Sequence, residues 1–199
     1  NLARYMHDPT LRHWKAALQV LRYLTSTADF GLVYTKATSA RLNVQAYCDA
    51  DYAGDRPTRR STTGYAFIGA GAAIIWRSFL QGAVSLSTTE AEYISAAATC
   101  REAAWLLHLL RDMSYKVSPV PLACDNQSTL KLIRNPTISN KLKHVDVSHH
   151  YARESEEAGR IAFSYIPSAL NVADIFTKLL PTPAFKVHRT ALGIGSTPA

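Results

Sequence analysis

Four acidic residues stand where a folded chain can gather them: Asp49, Glu92, Asp125 and Asp174. Asp49 closes an alternating run over 42–49. Leu42, Val44, Ala46 and Cys48 share one face there, and Asn43, Gln45, Tyr47 and Asp49 share the other, which is the period of a half-buried strand. Asp125 follows a second such run, with Val120, Leu122 and Cys124 on one face, so the pair Cys-Asp ends both. If the two strands are parallel neighbours, both cysteines enter the core and both aspartates reach one site. Glu92 lies in the opening turns of the longest helical pattern, two residues after its rival Glu90, and Asp174 lies on a late helical stretch. Carboxylates gathered this way repel by about 4 kcal/mol per pair at 4 Å with an effective dielectric near 20. Such a cluster persists by holding protons or by binding a divalent cation. Oxygen donors without accompanying His or Cys favour Mg²⁺ or Mn²⁺ over zinc. Taken singly, Asp49, Asp51 and Asp55 also read as turn residues approaching Gly54. The set of four is what points to chemistry.

The elements that must position these residues follow from periodicity. Asp8-Pro9-Thr10 starts a helix whose apolar residues Leu11, Trp14, Leu18 and Leu21 form one stripe, ending near 25–28. A short strand over 31–35 and a polar bridge over 36–41 follow. Strands over 63–68 and 72–77 flank the turn Gly69-Ala70-Gly71, and a further strand is expected over 83–86, so the first half reads as an antiparallel meander. A helix from Ser87 to about Met113 buries Tyr93, Ala97, Cys100, Ala104, Leu107 and Leu110. Ser87 with Glu90, or Thr89 with Glu92, forms its capping box. Then come a strand over 117–124, helices over 126–134 and 146–158, a strand over 161–166 and a helix over 168–180 carrying Asp174. A final helical turn or two over 185–192 precedes a loose tail over 193–199. Trp14, Trp76 and Trp105 are expected as core anchors.

A chain of 199 residues that is 47% hydrophobic buries one core with a small appendage. Its 22 Lys+Arg against 15 Asp+Glu give a charge of +7, which favours a polyanionic partner. Arg59 and Arg60 in the basic loop 56–60, together with Lys141 and Lys143, are candidates for phosphate contacts. Three cysteines without ligand spacing read as small buried residues in a reducing compartment. No apolar run approaches a membrane span and no signal-peptide pattern opens the chain. A start at Asn1 is expected of a piece of something longer. The stretch 143–150 holds His144, Asp146, His149 and His150, but adjacent histidines cannot face one point and no further ligand lies nearby. It reads as a polar cluster near nucleic acid rather than a zinc site.

Six motifs in order carry a family resemblance: Y-C-D-A-D-Y-A-G-D, R-R-S-T-T-G-Y, S-T-T-E-A-E-Y-I-S, A-C-D-N-Q-S, K-H-V-D-V and N-V-A-D-I-F-T-K. From about residue 42 to 180 the chain resembles the ribonuclease H domain of Copia-type retrotransposon Pol polyproteins. Its front segment, R-Y-M-H-D-P-T-L-R-H-W-K, resembles the piece that follows the reverse transcriptase in the same polyprotein. The resemblance implies an α/β ribonuclease H-like fold, a five-stranded mixed sheet flanked by helices, with an N-terminal helical extension. Residues 1–40 would be that extension, 41–182 the ribonuclease H domain and 183–199 a C-terminal tail.

The resemblance further implies that Asp49, Glu92, Asp125 and Asp174 are catalytic and hold two Mg²⁺ or Mn²⁺ ions. The reaction would be hydrolysis of the RNA strand of an RNA–DNA hybrid, leaving a 5′-phosphate and a 3′-hydroxyl. Asn126 and Gln127 beside the site are the candidates for reading 2′-hydroxyls. The partners would be the hybrid and the reverse transcriptase portion, with no membrane, in a cytoplasmic virus-like particle. Many ribonucleases H carry a His in the loop before the last helix. Here Pro167-Ser168-Ala169-Leu170 holds none, which implies lower turnover. The competing reading is a non-catalytic nucleic-acid-binding appendage, for which clustered acids have no use. A DNA strand-transferase on this fold would place its Glu last rather than second.

Overall fold

The computed structural model describes residues 2–35, 42–115, 119–135 and 146–196, of which 146–150 are described by backbone alone. Alternation generates the central strand β2 (Val44–Asp51), with Val44, Ala46 and Cys48 buried on one face as their period requires. β3 (Thr62–Gly69) and β4 (Ala72–Leu80) complete an antiparallel meander on one side of it. On the other side β5 (Val120–Cys124) and β6 (Ile161–Tyr165) add in parallel, giving the order β4-β3-β2-β5-β6. Register places Cys48 directly opposite Cys124, and both side chains are buried. Asp49 and Asp125 therefore leave two adjacent strands at the same level.

The long helix α2 (Thr88–Asp112) covers one face of the sheet through Tyr93, Ala96, Ala97, Cys100, Ala103, Leu107 and Leu110. α3 (Gln127–Arg134) adds Leu130 and Ile133 to this layer, and α4 (Asp146–Glu157) adds Ala152. The opposite face carries a smaller cluster of Ala66, Ala73, Val172 and Leu192, backed by Tyr47, Ile175 and Phe176. Two further strands, β1 (Phe30–Leu32) and β7 (Ile194–Ser196), pair antiparallel as a separate ribbon. α1 (Leu11–Ser26) buries none of its residues, and α5 (Thr182–Ala191) buries only His188.

Four expectations are corrected. Residues 83–86 form a loop rather than a strand, because Gln81 folds the segment back. Its Nε2 donates to Thr63 Oγ1 and to the Ala91 carbonyl, while its Oε1 accepts from Ser85. The tail is not loose throughout, since β7 pairs Ile194 with Leu32 and Ser196 with Phe30. The helix over 168–180 is instead two 3₁₀ turns, Ser168–Leu170 and Val172–Phe176. Asn171 breaks it: its Nδ2 donates to the Cys48 carbonyl at 2.9 Å, tying it to β2 in an extended conformation. Finally, Trp14, Trp76 and Trp105 are 61%, 52% and 55% exposed rather than buried. Trp14 lies on α1, none of whose residues is buried, and Trp76 and Trp105 stand on exposed positions of β4 and α2, whose core contacts are made by Ile74, Ile75, Phe79, Leu106 and Leu107 instead.

Candidate metal centre

Asp49 follows Cys48 on β2, so it points away from α2 and toward the turn Val172–Phe176. The Ser95 hydroxyl donates to the Asp49 carbonyl at 2.7 Å and fixes the strand end from the α2 side. Asn171 accepts from the Ala173 N–H at 3.2 Å and so caps the turn that carries Asp174. That turn reaches the sheet over Gly64, which is paired with Asp49. A Cβ at Gly64 would stand 2.6 Å from Thr177 Cγ2, 2.9 Å from Phe176 Cβ and 3.1 Å from the Ala173 carbonyl. Glycine is required there for close approach. Gly64→Ala is expected to push the 172–177 turn off the sheet and lower both the unfolding temperature and any activity that needs Asp174. An unfolding temperature matching the parent's would show that the turn has room.

Within this frame Asp49, Asp125 and Asp174 each offer a carboxylate oxygen within 4.8 Å of the other two. Glu92, Asp125 and the Cys124 sulfur form a second group under the same limit, so Asp125 belongs to both. Glu92 and Glu90 separate cleanly. Glu90 Oε2 accepts from the Leu86 N–H at 2.7 Å, and its own N–H donates to Ser87 Oγ at 3.1 Å. It is the cap of α2, reaching back one residue further than the expected Ser87. Glu92 is buried beside Asp125, and its Oε2 has no hydrogen-bond partner. A buried, unpartnered carboxylate oxygen is costly.

Burial pushes the Glu92 carboxyl up to about 10, helped by the charges of Asp49, Cys124 and Asp125 and opposed by a backbone hydrogen bond from Ala50. Burial and Asp49 raise Asp174 to about 6 against the pull of Lys178. The metal-free cluster thus keeps a proton on Glu92 at neutral pH, where a cation would relieve the crowding instead. Four carboxylates, one with an orphaned oxygen, fit a hard divalent ion. Two further side chains serve Asp49: the Thr177 hydroxyl donates to Oδ2 and the Lys178 ammonium lies 3.1 Å from Oδ1. The sequence reading did not assign either. The signal was the spacing of Asp174 and Lys178, four apart within N-V-A-D-I-F-T-K.

The other expected site residues are placed as follows. Asn126 caps α3, its Oδ1 accepting from the Thr129 N–H at 3.0 Å, and Gln127 is exposed beside it. Arg59 is exposed with φ +57, whereas Arg60 is half-buried and its Nε donates to the Gln81 carbonyl. Lys141, Lys143 and His144 lie outside the described residues, as do the side chains of Asp146, His149 and His150. A groove of about 860 Å³, lined by Asp51, Asp55, Thr177 and Lys178 among others, runs beside the site.

Comparison with solved structures defines the class. The N-terminal RNase H domain of rv2228c from Mycobacterium tuberculosis matches with a TM-score of 0.52 at 14% identity, covering 75% of this chain and 98% of that one. A foamy viral protease-reverse transcriptase, solved in complex with RNA/DNA hybrid, matches with a TM-score of 0.51 at 14% identity over 74% of this chain and 21% of that one. The fold is that of ribonuclease H. No family model matches the chain. A retrovirus-related Pol polyprotein from transposon TNT 1-94 of Nicotiana tabacum is 36% identical over 195 residues, 98% of this chain but 14% of that protein. The chain belongs to the Pol polyproteins of Copia-type retrotransposons, and it spans about one seventh of the length of the relatives it matches.

Proposed function

We propose that this chain is a divalent-metal-dependent endonuclease that hydrolyses the RNA strand of RNA–DNA hybrids during retrotransposon reverse transcription. The observation that carries this reading is the convergence of Asp49, Glu92, Asp125 and Asp174 from four separate elements, one of them with a buried oxygen lacking a partner. When bound, Mg²⁺ or Mn²⁺ ions would supply a hydroxide nucleophile and stabilise the leaving oxygen. The water oxygen forms a bond to phosphorus, the P–O3′ bond breaks, and a 5′-phosphate and a 3′-hydroxyl remain. The chain's own part is positional. Asp125, common to both ligand groups, links Glu92 to Asp49 and Asp174. Asp49 is held by β2 and Thr177, and Asp174 by the turn that Asn171 caps.

The reverse transcriptase portion of the same polyprotein is the proposed partner, in a cytoplasmic virus-like particle. The exposed Leu11, Trp14, Val20, Leu21 and Leu24 of α1 support it, since a helix with this much apolar surface gains by docking. The foamy viral relative in fold, solved with RNA/DNA hybrid, supports the substrate class.

The test is cleavage of an RNA–DNA hybrid with Mg²⁺, beside duplex DNA and duplex RNA. Selective loss of the RNA strand is the expected result, and equal cleavage of all three would overturn it. Binding should also weaken steeply with salt. Arg59 is the better-placed phosphate contact, because Arg60 is committed to the Gln81 carbonyl. Arg59→Gln should reduce the slope of log affinity against log salt by about 0.9, the value per contact for a B-form duplex. An unchanged slope would return Arg59 to the solvated surface.

A further inference from the structure

Lys178 joins the two carboxylates that come from opposite ends of the chain. Its Nζ lies 3.1 Å from Asp49 Oδ1 and 3.1 Å from Asp174 Oδ1. Asp49 is fully buried, and the Thr177 hydroxyl takes its other oxygen. Both oxygens of Asp49 are therefore engaged by the chain's own donors. An ion bound by Asp49 must share an oxygen with one of them, and Mg²⁺ demands near-octahedral oxygen ligands at about 2.0–2.1 Å. An ammonium sharing that oxygen would stand against a divalent charge. Of the two donors, the cation is the one that repels the ion.

We propose that Lys178 is the resident counter-cation of the metal-free site: it holds Asp49 and Asp174 together until a divalent ion arrives, and it leaves that position as the ion seats. This rests on reading the four carboxylates as a metal site. The structure provides a way out. The Lys178 side chain is 35% exposed and lines the groove beside the site, where Asp51 and Asp55 also stand. Asp51 is half-buried at the end of β2 and already feels the Lys178 charge, so it offers the displaced ammonium a second anion. Lys178 is thus a positioning residue with two stations rather than a group that touches substrate.

Lys178→Met keeps the apolar stem and removes the charge. The metal-free chain should then unfold at a lower temperature, because two neighbouring carboxylates lose their cation. Mn²⁺, titrated calorimetrically into the full chain, should bind more tightly by about tenfold, within the usual range for coupled equilibria. Lys178→Arg keeps the charge and should bind Mn²⁺ no more tightly than the parent. Lys186→Met on exposed α5 controls for net charge and should match the parent.

Equal or weaker Mn²⁺ binding by Lys178→Met would overturn the proposal while leaving the metal site standing. Absence of Mn²⁺ binding in parent and variant alike would overturn both. Should Lys178→Met not fold without metal, the unmutated chain still decides. With lysine labelled at Cε, the resonance that disappears in Lys178→Arg should shift on saturation with Mg²⁺. A resonance that stays fixed at saturation overturns the displacement.

Discussion

Asp125→Asn is expected to abolish hybrid cleavage and to leave the metal-free chain as stable as the parent or slightly more so. Asp125 is the carboxylate common to both groups, so its loss weakens each of them at once. Metal-borne charge stabilisation is worth several kcal/mol in a transition state, and ~4 kcal/mol is roughly three decades of rate. Neutralising one of four neighbouring acids also relieves repulsion in the apo state. Asp49→Asn should be equally inactive, but its stability should differ. It removes a partner of Lys178 from a fully buried position, and breaking a buried pair costs more than a surface pair would. The expected order of unfolding temperatures in chelator is therefore Asp125→Asn at or above the parent, with Asp49→Asn below both. Unfolding of Asp125→Asn, or retained cleavage, would assign that residue a structural role instead.

The sheet and the acidic site were legible for the same reason. Alternation over 42–49 and 120–124 fixes which face each residue takes, and the repeated Cys-Asp ending implies a shared level that the Cys48–Cys124 register bears out. What stayed hidden lies in contacts between segments distant in sequence. Nothing local shows that Asn171 will bond to the Cys48 carbonyl and break a helix, or that the Gln81 side chain will convert 83–86 into a loop. The tryptophans misled because burial follows the face an element turns inward: α1 buries none of its residues, and Trp76 and Trp105 stand on the exposed sides of β4 and α2. β7 could not be read from three residues, since its partner β1 lies more than 160 positions away. Lys178 was within reach: a cation four residues after an acid was visible, but its second partner, Asp49, was not.

Glu92→Gln and Glu90→Gln should part completely, although the two residues are neighbours but one. Two positions on a helix are about 200° apart, so they face opposite ways. Glu90 spends its carboxylate on the Leu86 N–H, a bond that a glutamine oxygen can also accept. Glu90→Gln should therefore keep its activity, whereas Glu90→Ala should lose about 1 kcal/mol of stability. Glu92→Gln should lose nearly all cleavage, because a neutral amide oxygen holds a hard cation less tightly than a charged carboxylate and Oε2 has no hydrogen-bond partner. The metal-free chain adds a signature that needs no substrate. The Glu92 carboxyl is pushed from an ordinary 4.5 up to about 10, first by burial and then by Asp49, Cys124 and Asp125. The folded chain thus holds a proton more tightly than the unfolded one. The stability this gives is fully present below the unfolded value and is lost as pH rises through the folded one. In chelator, the parent's unfolding temperature should fall from about pH 5 to about pH 9, and Glu92→Gln, neutral throughout, should flatten that fall. Glu90→Gln should reproduce the parent's slope. A dead Glu90→Gln beside an active Glu92→Gln would reverse the assignment and make Glu90 the ligand.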